Sequence, residues 1–253
     1  MILDTPTPFP GVAMADLTLD EAVAAVARRA REPTFSYVVT PNVDHIVALR
    51  RGRHDPRARA FRQAYAEAGL VLCDSRVLAS LARRAGRTLA VVPGSDLTVA
   101  LFERGVLDGL VVAIVGGHPG SVTTLAARFP GPTYRHLQPP MGVLSDPTAQ
   151  AAIVDFVAAS GAQVTLFAFG SPQSEIVASA CARSGRGRGV GLCIGASIEF
   201  IVGAKRRAPR WMRRAGLEWL HRLLSEPRRL WRRYLVEGPA IFAIWWHDRR
   251  RRG

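Results

Sequence analysis

A carboxylate that leaves a short apolar run is well placed to act as a base, because partial loss of water raises its affinity for a proton. Asp74 is such a group, following Leu70-Val-Leu-Cys73. The same position also suits an aspartate that caps the next helix, and position alone does not choose between the two. Thr40-Pro-Asn42 closes another β-branched run and either binds a ligand or forms an Asx turn. Two glycine turns, Gly116-Gly117 after Val111–Val115 and Gly170-Ser171-Pro172 after Val164–Phe169, each precede a helical pattern. Backbone N–H groups at such a helix start can hold a diphosphate. Neither turn completes a Gly-x-Gly-x-x-Gly pattern, so each is weak evidence alone. Two on one sheet edge favour a nucleotide-like ligand.

Nothing in the sequence calls for a metal. There is no Asp-x-Asp, the six histidines are scattered, and Cys73, Cys181 and Cys193 lack ligand spacing. An anionic leaving group would then rely on arginines and backbone N–H groups. The three cysteines sit in or beside apolar runs, which suits buried, reduced thiols in a cytosolic compartment.

These residues need elements to position them. Thr18-Leu-Asp-Glu21 is a capping-box pattern that opens a helix through Ala22–Arg31. Strands are expected at 35–40, 70–73, 111–115, 164–169 and 190–194, and helices at 43–50, 57–68, 77–85, 121–128, 148–160 and 173–183. Apolar strands alternating with helices predict βαβ units around a Rossmann-like, mainly parallel sheet flanked by helices. Such sheets bind ligands beyond the carboxyl ends of their strands, which is where Thr40, Asp74, Gly116 and Gly170 fall.

Of the 253 residues, the last fifty carry most of the charge. Ala204–Gly253 holds fifteen Lys/Arg, four Asp/Glu and all five tryptophans, giving +11 of the chain's +14. We expect an α/β catalytic core over 1–203 and a basic, amphipathic helical appendage over 204–253. Basic faces edged with aromatics suit an anionic lipid surface. A helix pair packed on the core with a solvated basic rim, or an arm for nucleic acid, would share this composition. No stretch approaches the roughly 20 apolar residues of a spanning helix. The N-terminus shows no basic segment before an apolar run. A peripheral protein on the cytoplasmic side of a membrane is the expectation.

An ordered series of residues resembles the WecG/TagA/CpsF glycosyltransferases (glycosyltransferase family 26). It runs Arg207-Ala-Pro209, Trp211, Gly216-Leu-Glu-Trp-Leu-His-Arg-Leu, Glu226-Pro227 and Arg229-Leu-Trp-Arg-Arg-Tyr-Leu235. Upstream, Thr40-Pro-Asn42, Asp74, Gly94-Ser-Asp96-Leu97, Gly116-Gly117 and Gly170-Ser-Pro172 with Glu175 fall in the same order. The resemblance implies inverting, metal-independent transfer from a UDP-sugar to a polyprenyl-diphosphate-linked saccharide, without a cofactor, in bacterial cell-surface polysaccharide synthesis. It implies Asp74 as the base that deprotonates the acceptor hydroxyl. Thr40, Asn42, Asp96, Gly116, Gly117, Gly170, Ser171, Gln173, Glu175, Glu199 and Arg207 would bind substrate. Arg210, Trp211, Arg213, Arg214, Trp219, Arg222, Arg229, Trp231, Arg232 and Arg233 would meet the lipid diphosphate and the membrane. Nucleic acid is then not a partner. A homo-oligomer stays open, with the appendage closing its own site or a neighbour's. The chain departs from the family pattern at Ser75 (usually Gly), Val91 (Arg), Ser174 (Gln) and Ile198-Glu-Phe200 (Phe-Asp-Phe). The donor sugar is accordingly of the N-acetylmannosamine type or a plain hexose.

Overall fold

The computed structural model describes residues 9, 12–50, 55–205, 208–209, 211–212 and 215–252, with backbone alone for residues 222, 229, 248, 249, 251 and 252. Local chemistry sets its first element. The Thr18 side chain accepts the Glu21 N–H, and the Glu21 carboxylate accepts the Thr18 N–H at 2.8 Å, so helix α1 starts at Leu19 and runs to Arg29. Two of the N–H groups left over at the helix start are thereby satisfied.

Six strands follow in one sheet: β1 Ser36–Val39, β2 Leu70–Val71, β3 Val111–Gly116, β4 Thr133–Leu137, β5 Val164–Ala168 and β6 Val190–Cys193. Their spatial order is β2-β1-β6-β5-β3-β4 and every pairing is parallel. The helices between them are α2 Val43–Arg50, α3 Pro56–Ala66, α4 Arg76–Arg84, α5 Gly94–Glu103, α6 Pro119–Arg128, α7 Pro147–Ala159, α8 Gln173–Arg183 and α9 Ser197–Ile201.

Alternation along the strands feeds two cores. Tyr37 and Val39 pack with α2, α3, α4, α7 and α8 on one face. Val38, Ile114, Leu166 and Leu192 pack with α1, α5, α6 and α9 on the other. The sheet is therefore covered on both sides, as an all-parallel sheet requires. This is the α/β, Rossmann-like arrangement expected from the sequence. The chain leaves β5 toward one face, through α8, and leaves its neighbours β3 and β6 toward the other, through α6 and α9. Those opposed exits open a crevice at the carboxyl edge. Cys73, Cys181 and Cys193 are buried free thiols.

One expected strand is cut short, and β4 and α5 are among the elements added. The run at Leu70–Cys73 yields only a two-residue strand: Leu72 and Asp74 still donate their N–H groups to the Val39 and Pro41 carbonyls, but Pro41 has no N–H to return and the ladder with β1 stops. Strand β4 is a half-exposed edge of Thr-Tyr-Arg-His-Leu, too polar to stand out by pattern. Helix α5 opens on Pro93 without a side-chain cap, so it lacks a start signal.

Beyond α9 the chain forms α10 Glu218–Ser225, α11 Pro227–Trp231, a stretch of wider π turns at Arg232–Glu237, and α12 Ala240–Arg252. These helices lie against the body. Ile241 is buried in the core beside α2 and α4, and the Trp245 indole N–H donates to the Leu81 carbonyl at 2.9 Å.

Candidate active site

The carboxyl edge of the sheet carries a cavity of about 830 Å³. Its floor comes from Thr40, Asn42 and His45 after β1, from Asp74 after β2, and from the turns after β5 and β6. Its roof comes from the C-terminal helices through His221, Glu226, Leu230, Arg233 and Tyr234. A second cavity of about 520 Å³ adjoins it, walled by Val43, Val77, Val91, Trp219, Ile241 and Phe242. Asn42, Asp74, Glu218 and Tyr234 line both.

Asp74 thus stands where the two cavities meet. Its backbone N–H donates to the Pro41 carbonyl at 3.0 Å, which ties the end of β2 to Thr40-Pro-Asn42. The two sequence readings of this aspartate are separated by its neighbour. Ser75 is the N-cap of α4, its hydroxyl accepting the Leu78 N–H at 3.3 Å, so the cap is supplied by Ser75, and Asp74 lines both cavities.

Asn42 forms the Asx turn: its Oδ1 accepts the N–H groups of Asp44 at 3.0 Å and His45 at 3.3 Å, starting α2. Thr40 sits so close to α5 that a Cβ on Gly94 would lie 2.8 Å from its Oγ1. Glycine there lets the start of α5 approach the end of β1.

The two glycine turns differ. Gly170 and Ser171 line the large cavity. Gly116 and Gly117 line neither cavity, and the Gly117 N–H donates to the Ala168 carbonyl. A Cβ on Gly116, at φ +84°, would meet Phe169 at 2.8 Å, so close strand packing also accounts for that glycine. From that turn it is His118, the N-cap of α6, that lines the cavity. Gln173 lines neither cavity, and Asp96 belongs to the smaller one.

Glu175, in the first turn of α8, is 3% exposed and lines the large cavity. Burial pushes its carboxyl up to about 7, against the pull of its own backbone N–H, the Ser171 hydroxyl and the Arg233 guanidinium. Glu199 lines the same cavity, and the Oε2 atoms of both glutamates are buried with no hydrogen-bond partner among the described residues. Ser174 lines the same cavity and donates its hydroxyl to the Phe169 carbonyl.

His45 completes the floor. Its Nδ1 is 2.8 Å from the Tyr65 hydroxyl. Burial, reinforced by Arg233, holds its pKa down to about 3, so the ring is neutral. Sequence reasoning missed His45, His118, Lys205, His221 and Tyr234 as cavity residues. For His45 a signal existed: it falls three positions after Asn42, on the first turn of the helix that Asn42 caps.

Of the C-terminal residues singled out by sequence, Arg233 reaches the large cavity and pairs with Asp44, and Trp219 reaches the small one. Trp231 and Arg232 are exposed and line neither. Trp211 is exposed as well. Arg207, Arg210, Arg213 and Arg214 lie outside the described residues, as do the side chains of Arg222 and Arg229. Among the described residues, no group of three His, Cys, Asp or Glu side chains is arranged to hold a metal ion, and no helix is long and apolar enough to cross a membrane.

A parallel sheet whose carboxyl edge holds a roomy cavity, with two carboxylates, Asp74 and Glu218, at the border of a second cavity, suits the joining of two substrates. Residues 7–253 match the model of the glycosyl transferase WecG/TagA/CpsF family. That match takes in nearly the whole chain, and so the chain belongs to the WecG/TagA/CpsF glycosyl transferases of cell-surface polysaccharide synthesis.

Proposed function

We propose that the protein transfers a sugar from a UDP-sugar to a polyprenyl-diphosphate-linked saccharide, with inversion at the anomeric carbon and Asp74 as base. The observation that carries this is the position of Asp74 at the junction of the two cavities. The larger cavity, with the polar turns after β5 and β6, takes the donor. The smaller one, walled by Val43, Val91, Trp219 and Phe242, takes the acceptor.

In the reaction Asp74 takes the proton of the acceptor hydroxyl as that oxygen attacks the anomeric carbon. The bond from that carbon to the diphosphate oxygen breaks, and UDP leaves with the electron pair. Asp74 acting as a base on the acceptor hydroxyl, and not as a nucleophile, fits a single displacement, which inverts configuration. The leaving diphosphate gains charge, and the cations lining the donor cavity, Lys205 and Arg233, are placed to offset it. A metal ion is not part of this scheme, nor is a cofactor.

Residues 204–253 act in this reading as a membrane-facing appendage on a core of residues 1–203. Trp211, Leu224, Trp231, Leu235, Val236, Phe242 and Trp246 are exposed apolar groups in a strongly basic segment. Such a surface partitions to anionic lipid, where a polyprenyl-linked acceptor resides. The protein then works on the cytoplasmic face of the membrane, with no nucleic acid partner.

The test is to screen UDP-sugars, among them N-acetylmannosamine and plain hexoses, with a short polyprenyl-diphosphate-linked N-acetylglucosamine or glucose, with and without EDTA. UDP release with one donor, unchanged by EDTA and yielding the inverted linkage by NMR, is the expected result. No release with any pair, together with tight, salt-sensitive binding to nucleic acid, would replace this reading with the nucleic-acid arm.

A further inference from the structure

A buried carboxylate oxygen without a partner costs free energy unless a ligand supplies the missing donor. Glu175 presents such an oxygen in the wall of the large cavity. Its backbone lies in the first turn of α8, directly after Gly170-Ser171-Pro172. Ser171 and the residue's own backbone N–H favour the charged carboxylate against burial, and Oε2 has no hydrogen-bond partner among the described residues.

Its place in the cavity narrows what the donor can be. Glu175 and Asp74 line the same cavity, and the charges of both act on Tyr65, whose hydroxyl is 2.8 Å from His45 in the cavity floor. Asp74 is the base, so the anomeric carbon must come close to it. The portion of a bound UDP-sugar near Glu175 is then the sugar and not the uridine. Resting on the UDP-sugar reading of this cavity, we infer that Glu175 is a donor-specificity residue: its Oε2 accepts a hydrogen bond from a hydroxyl of the transferred sugar. Ser174 beside it has given its hydroxyl proton to the Phe169 carbonyl, and Glu175 is the carboxylate acceptor that the first turn of α8 brings to this cavity.

Binding measured by calorimetry, without acceptor, tests this on the full chain. UDP, UDP-glucose and UDP-N-acetylmannosamine are titrated into wild type and Glu175→Gln. A charged hydrogen bond of this kind is worth roughly 10- to 100-fold in affinity. The variant should bind UDP within about twofold of wild type and bind the preferred UDP-sugar some 10- to 100-fold more weakly. In wild type, a UDP-sugar lacking the contacted hydroxyl should lose a similar factor, and in the variant it should lose little more. Equal losses for UDP and UDP-sugar, or no loss for either, would overturn the assignment. Wild type that binds none of the three ligands would instead overturn the UDP-sugar reading itself. Should Glu175→Gln not fold, Ser171→Ala loosens the same carboxyl and should weaken UDP-sugar several-fold while sparing UDP. Equal effects on both ligands there would also sink the proposal.

Discussion

Arg233 places its Nε 2.5 Å from Oδ2 of Asp44, joining residues 189 positions apart. Asp44 lies in the first turn of α2, next to the strand end that carries Asn42, and Arg233 lies in the π turns of the C-terminal segment. The pair therefore fastens the roof of the large cavity to its floor. The aspartate side chain is 12% exposed and the arginine 38%, so solvent screens part of the attraction.

Breaking this link should loosen the roof more than it unfolds the protein. Asp44→Asn is expected to cost about 1 kcal/mol in urea melts. The larger effect should be faster amide exchange in α12 and the π turns, with the strands unchanged. Uniform exchange across the molecule would show that the pair fastens nothing in particular.

Asp74→Asn should keep the fold, because Ser75 holds the α4 cap and the Asp74 backbone bond to Pro41 does not involve the side chain. Turnover should fall by about two to four decades with UDP affinity near wild type. Unchanged turnover would remove Asp74 from the role of base.

Glu175 makes stability depend on pH in a defined direction. Its folded pKa is raised from 4.5 to about 7 by burial, so the native state holds the proton more tightly than the unfolded chain does. This contribution is intact below pH 4.5 and is lost as pH rises through 7, at a cost of about 3 kcal/mol. The charged groups acting on it, chiefly Arg233, are already included in that shift. Glu175→Gln cannot ionise, so it should gain about 3 kcal/mol on wild type between pH 4.5 and pH 8 in paired urea melts. A difference that stays flat with pH would contradict the burial of an ionisable group here.

The exposed aromatics of the C-terminal helices give a test of membrane contact. Trp231→Ser and Trp246→Ser should each reduce binding to vesicles containing phosphatidylglycerol by roughly tenfold, with activity on a water-soluble acceptor retained. Both residues are about half exposed, so the fold should tolerate the changes. Truncation after Ala204 would be a poor substitute, because it also removes Ile241 and Trp245 from the body.

Some of this was open to reading and some was not, for physical reasons. Thr18 and Glu21 announce α1 because a capping box is a local contract between two side chains. Val111–Val115 and Val164–Phe169 announce β3 and β5 because strands buried on both faces are apolar throughout. Helix α8 begins and ends at Gln173 and Arg183 as its pattern predicts. Strand β4 escapes because an edge needs apolar residues on fewer sides. In the site, Asp74 stood out because a charge after Leu-Val-Leu-Cys is locally odd. That it is spared capping by Ser75, or that Arg233 reaches Asp44, is long-range geometry that no local pattern encodes. The same holds for Gly116, where the sequence suggests phosphate and the packing of Phe169 gives a second reason for glycine.

Among the described residues, four, Asn42, Asp74, Glu218 and Tyr234, line both cavities. Every other lining residue faces one cavity alone. Substitutions at Glu175 or Glu199 can therefore drift without touching Val91 or Phe242, and the reverse holds too. Selection for a new sugar and selection for a new acceptor then act on nearly separate sets of codons. A scaffold divided in this way can be re-tuned one substrate at a time, with four positions held fixed as the hinge of its evolution.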